Sequence, residues 1–156
     1  MPSADRSSTT TRVIAAPCER VYHAFIDPQA LQTWLAPGDW TARVIESDVR
    51  IGGSYTMAIA PPVTDAEYAA KSSGREDRYT ARFEELTPPR RIVETITFDT
   101  TDPAFMGEMT LTVTLNEQGE STAVTMAFEN LPPGVSPADN DLGTRLSLEK
   151  LANLVE

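Results

Sequence analysis

A chain of 156 residues with 40 % hydrophobic and 23 % charged residues has the composition of one ordinary globular domain, long enough to bury a core without staples. Its formal net charge of -10 lacks the basic footprint that phosphate recognition needs, and no apolar run approaches the roughly 20 residues of a membrane span, so neither a nucleic-acid nor a membrane partner is expected. Cys18 is the only cysteine, which excludes an intrachain disulfide and a thiolate metal cluster.

Residues 1–11 are polar, carry no apolar leader core, and are expected to form a frayed tail before a single domain over 12–156. A cytoplasmic location follows as the expectation. The first strand is read from Thr9 to Ala15, overlapping the end of that tail and broken at Pro17. Cys18 to Ile26 then reads as a helix, because Cys18, Val21, Tyr22 and Phe25 recur at helical spacing on one face. Asp27 is placed to cap a second short helix opening at Pro28, with Ala30, Leu31 and Trp34 inward.

Six further strands are predicted: Thr41 to Ser47, Gly53 to Ala60, Arg78 to Leu86, Arg91 to Thr100, Glu108 to Asn116 and Thr122 to Glu129. Clean alternation in four of them gives one apolar and one wet face, the mark of an antiparallel sheet. Pro61 to Asp77 is the longest loop and the expected mobile flap. A long amphipathic helix closes the chain, started by Ser136, Pro137 and Asp139; its inner face runs through Asn140, Thr144, Ser147, Leu148, Leu151 and Val155. The fold class is therefore α+β: a curved antiparallel sheet wrapped around a C-terminal helix, with two short helices after the first strand.

Several blocks carry a family resemblance. They are Ile14 to Tyr22, Ala24-Phe25-Ile26-Asp27-Pro28, Leu31 to Pro37, Gly52-Gly53-Ser54-Tyr55, Phe83 to Val93, and Ser147 to Ala152. The chain resembles the START/Bet v 1-like helix-grip superfamily, and within it the branch named for the activator of Hsp90 ATPase homologue 1. The resemblance implies a pocket between sheet and helix for a hydrophobic or aromatic small molecule, and some related proteins are cyclases, hydrolases or transport proteins. One departure is Gly143-Thr144, where similar proteins often carry Trp after the helix glycine; Thr144 would leave the pocket roomier or more polar.

Glu94 stands out. Alternation points it inward between Ile92 and Ile96, where similar proteins usually carry an apolar or aromatic residue. A buried carboxylate must be paired, protonated or wet, so Glu94 is a candidate ligand anchor or, more weakly, a general acid/base. A bulge that turns it outward is the competing reading. Tyr55, Met57, Tyr79, Phe98, Met109 and Met126 would line the pocket from the sheet, with Asn140, Thr144 and Ser147 from the helix. His23, the only histidine, lies off the apolar face of its helix, so neither a Ser-His-Asp arrangement nor a zinc site is expected, and no cofactor is implied. Trp34 is expected in the core and Trp40 near the pocket mouth. Leu142 and Leu146, on the outer face of the last helix, make a homodimer patch possible.

Binding of a small hydrophobic or aromatic molecule is thus the first expectation. An enzyme using Glu94, and a chaperone-associated protein acting through its surface, are the alternatives. A pocket closed by side chains would count against the first two.

Overall fold

The computed structural model describes residues 6–61 and 77–156; the flap expected over 61–77 falls almost wholly outside them. The elements in chain order are β1 (Ser8–Ile14), α1 (Cys18–Ile26), α2 (Pro28–Trp34), β2 (Thr41–Ser47), β3 (Ser54–Ala60), β4 (Asp77–Thr87), β5 (Arg91–Phe98), β6 (Glu108–Gln118), β7 (Ser121–Glu129) and α3 (Pro137–Val155). The strands form one seven-stranded sheet in the order β1-β7-β6-β5-β4-β3-β2, every neighbouring pair antiparallel. The α+β helix-grip architecture expected from the sequence is therefore the one observed.

The first strand begins at Ser8, inside the segment expected as a tail. Ser8 to Thr11 are already paired, running in register from Ser8 opposite Phe128 to Ile14 opposite Thr122. Their polarity reflects an edge strand with one face in water, not disorder: Thr10 and Ile14 are buried while Thr9, Thr11 and Val13 face out. Arg6 fixes the approach to this strand, its guanidinium donating to the carbonyls of Leu131, Pro132 and Val135.

Both ends of the helical layer follow from local chemistry. The Asp27 carboxylate accepts from the Gln29 N–H and Pro28 occupies the first turn of α2, so one residue stops α1 and starts α2. Ser136 caps α3 in the same way, its hydroxyl accepting from the Asp139 N–H at 3.3 Å. Trp34 is fully buried, edge-on to Phe25 at 4.8 Å, and its indole N–H donates to the Ala24 carbonyl at 2.8 Å. It belongs to the core. At the far end of α3, Leu148, Leu151 and Val155 join Ile14, Val21, Leu115 and Val124 in the same buried cluster.

Candidate ligand site

The inner face of β3, β4 and β5 carries an aromatic surface with one carboxyl in it. Tyr55 faces Ala81 across the β3–β4 ladder, and Ala81 faces Ile96 across β4–β5. Glu94 sits one pair further along β5, opposite Phe83 on β4 and Leu111 on β6. Because Ala81 has almost no side chain, the Tyr55 phenol can reach across β4, and its hydroxyl donates to Glu94 Oε1 at 3.3 Å, two strands away. The rings continue the cluster: Tyr55 to Phe83 at 5.8 Å, Tyr55 to Tyr79 at 6.2 Å, and Tyr79 to Phe98 at 6.3 Å.

Glu94 points into the protein. It is only 2 % exposed. A register shift does occur nearby, between Phe83 and Glu85, but the ladder between Glu94 and Leu111 is unbroken and the alternation of β5 survives. Loss of water dominates the electrostatics, pushing the Glu94 pKa from 4.5 to about 7 against the opposing bond from Tyr55. The same burial, helped by the carboxylate, raises the Tyr55 and Tyr79 phenols above their ordinary range, and the two hydroxyls also interact with each other. A bond of 3.3 Å is long for an O–H donor to a carboxylate and recovers little of the cost of desolvation.

The expected helix residues behave differently. Thr144 is buried, with its hydroxyl donating to the Asn140 carbonyl one turn back at 2.8 Å. Ser147 is buried and donates to the Leu35 carbonyl at 2.7 Å, pinning α3 to the exit of α2 beside the Lys150 ammonium, which donates to the Ala36 carbonyl at 2.6 Å. Asn140 turns toward the sheet edge, donating to the Ser8 hydroxyl at 2.7 Å. The Ser147, Lys150 and Asn140 bonds fasten α3 in place, while that of Thr144 stays within the helix. The structure therefore brings together Tyr55, Tyr79, Glu94 and, through Tyr79, Phe98. Met57, Met109 and Met126 are buried on the same sheet face. Phe83 and Ala81 join the cluster through their register with β3 and β5.

Two surface grooves formed by the described residues are not lined by Glu94 or Tyr55. One of about 390 Å³ runs between β1 and α3, past Thr10, Arg12, Asp141 and Arg145. The other, of about 550 Å³, lies on the outer sheet face around Thr56, Thr80 and Thr97. The inward side chains around Glu94 are buried and neither groove opens onto them, which counts against a preformed pocket; a molecule entering there must displace them. The unbranched methionines are the side chains best able to move aside. His23 is exposed, Cys18 is buried beneath the Thr122 hydroxyl, and Leu142 and Leu146 are exposed on α3. Among the described residues no cluster of His, Cys, Asp or Glu could hold a metal ion, and no helix is long and apolar enough to cross a membrane.

The comparisons with other proteins cover nearly the whole chain. The family model described as Activator of Hsp90 ATPase homolog 1-like protein matches residues 15–156. The solved structure of protein CV1439 from Chromobacterium violaceum is 36 % identical, covers 96 % of this chain and 97 % of its own, and superposes with a TM-score of 0.81. Mll3558 from Rhizobium loti is 28 % identical over 98 % of this chain and 96 % of its own, with a TM-score of 0.70. NE0264 from Nitrosomonas europaea, 21 % identical over 97 % and 95 %, shares the fold with a TM-score of 0.74. Among curated proteins none matches.

Proposed function

The chain belongs to the Activator of Hsp90 ATPase homolog 1-like family, and from that premise we propose that it binds a small hydrophobic or aromatic molecule between the sheet and α3. Its helix-grip fold, a sheet closed over one helix, is an architecture that commonly holds such ligands. The observation that carries the reading is Glu94: a carboxyl 2 % exposed, held among the described residues by a single 3.3 Å bond from Tyr55, in a wall of rings and methionines. A structural residue there would be apolar, as its neighbours Ile92 and Ile96 are. A few polar groups converging in an apolar interior are what a small-molecule site requires.

Methionine methyl NMR tests this with controls built into the chain. Titrating full-length, methyl-labelled protein with the neutral apolar reporter N-phenyl-1-naphthylamine should shift the Met57, Met109 and Met126 methyls in a saturable way. Met106, which is 52 % exposed, should stay put. Shifts confined to Met106, or none at all, would contradict the proposal. Native mass spectrometry of the purified protein adds the identity of any ligand carried through purification.

A second reading is favoured by one property of the same residue. A carboxyl poised at about 7 can give or take a proton near neutral pH, which is what a general acid/base needs. On that reading Glu94 acts on the bound molecule, and Glu94→Gln abolishes turnover while leaving binding of neutral ligands intact. Preserved turnover in that variant would sink it.

A further inference from the structure

We infer that the ligand of this site is a lipophilic amine, bound as its ammonium by the Glu94 carboxylate against the faces of the surrounding aromatic rings. This rests on the ligand-binding reading above and narrows it by charge. Among the described residues Glu94 is the single acidic or basic side chain in the buried class. The cations of the neighbouring elements lie elsewhere. Arg82 on β4 and Arg91 on β5 are on the outer face with their own carboxylate partners, Glu84 and Glu85, and Arg78 on β4 lines the outer-face groove with Thr80 and Asp99. On α3, Arg145 pairs with Asp141, and Lys150 is bound to the Ala36 and Gly38 carbonyls.

A hydrophobic acid entering this space would therefore meet a like charge with no cation among the described residues to offset it. An ammonium meets the reverse: an opposite charge in a dry setting, where attraction is strong, and ring quadrupoles from Tyr55, Tyr79, Phe83 and Phe98 within a connected cluster. An ammonium offsets part of the desolvation cost of the Glu94 carboxylate, against the loss of its own hydration. The Tyr55 and Tyr79 hydroxyl oxygens can accept further N–H bonds. A neutral alcohol gains one hydrogen bond from the same site and none of the charge compensation.

The test uses three probes on one skeleton with the full-length protein: 1-naphthylmethylamine, 1-naphthylmethanol and 1-naphthoic acid, titrated calorimetrically at moderate salt to screen the overall negative charge. The amine should bind about tenfold or more tightly than the alcohol, and the acid most weakly. In Glu94→Gln the amine should fall to the level of the alcohol, whose own affinity moves less than about threefold. Tyr79→Leu, which keeps the carboxyl and removes one ring, should weaken the amine more than the alcohol and serves if the Gln variant does not fold. An acid binding as tightly as the amine, or an amine preference that survives Glu94→Gln, overturns the inference. Binding of N-phenyl-1-naphthylamine without amine preference overturns it too, while leaving the apolar site standing. Failure of all four probes removes both.

Discussion

Two ends of one core handle buried polar groups in opposite ways. At the end built from α1, α2, β7 and the C-terminal half of α3, three buried polar side chains donate to backbone carbonyls. Thr122 donates to the Ala16 carbonyl at 2.8 Å, Trp34 to Ala24 and Ser147 to Leu35. At the end built from β3, β4 and β5, a carboxyl and two phenols from three strands meet one another across side-chain contacts, and the bond to Glu94 is long. The first pattern stabilises a fold. The second leaves free energy unspent, which a molecule bringing its own charge or hydrogen bonds can recover.

The comparison can be broken by mutation. The largest effect belongs to the dry end, where Leu151→Ala should remove about 2–5 kcal/mol of stability, equally at all pH values, by urea denaturation. Leu151 is fully buried, so a loss below that range would mean the site collapses easily.

Glu94→Gln should act differently, through pH. An acid with a higher pKa folded than unfolded holds its proton more tightly in the native state. Its stabilising contribution is complete below about pH 4.5 and is lost as pH rises through about 7. Relative to the Gln variant, the wild type should therefore weaken across that window by on the order of 3 kcal/mol, with no further change above it. Parallel stability profiles for the two proteins would contradict a desolvated carboxyl.

Tyr55→Phe should cost about 1–2 kcal/mol above that window, where the carboxylate loses its donor, and less below it. The titration midpoint should also rise, since the bond from Tyr55 is what holds it down. Thr122→Val, at the satisfied end, should cost about 1 kcal/mol with no pH dependence, measured by the same denaturation curves.

Much of this contrast was legible in the chain. Alternation over Arg91 to Phe98 pointed Glu94 inward, and the competing bulge fell on the other strand of the pair, between Phe83 and Glu85, leaving β5 regular. The helix signals at Asp27-Pro28 and Ser136-Pro137 marked the starts of α2 and α3 because capping is local chemistry. The partner of Glu94 was not legible. Tyr55 reaches it because Ala81 on the intervening strand leaves the way open, a fact of cross-strand register rather than of sequence spacing. The same holds for Asn140, Thr144 and Ser147. Helical periodicity placed all three on the inner face. The structure buries Thr144 and Ser147 but leaves Asn140 half-buried, with Ser147 occupied by the Leu35 carbonyl, 112 positions away, and Asn140 by Ser8 on the edge strand. Polarity was readable where the bonds are local. Where they are long-range, the sequence left open whether a polar group serves the fold or a ligand.

That a desolvated carboxyl stands inside the space between sheet and helix is tested most directly by carbon-13 NMR of the Glu94 side-chain carboxyl, assigned by comparison with Glu94→Gln. The expected titration midpoint is about 7, well separated from the exposed glutamates. A midpoint in the ordinary carboxylate range, near 4.5, would mean that Glu94 is hydrated or paired, and the contrast between the two ends of the core would fall with it.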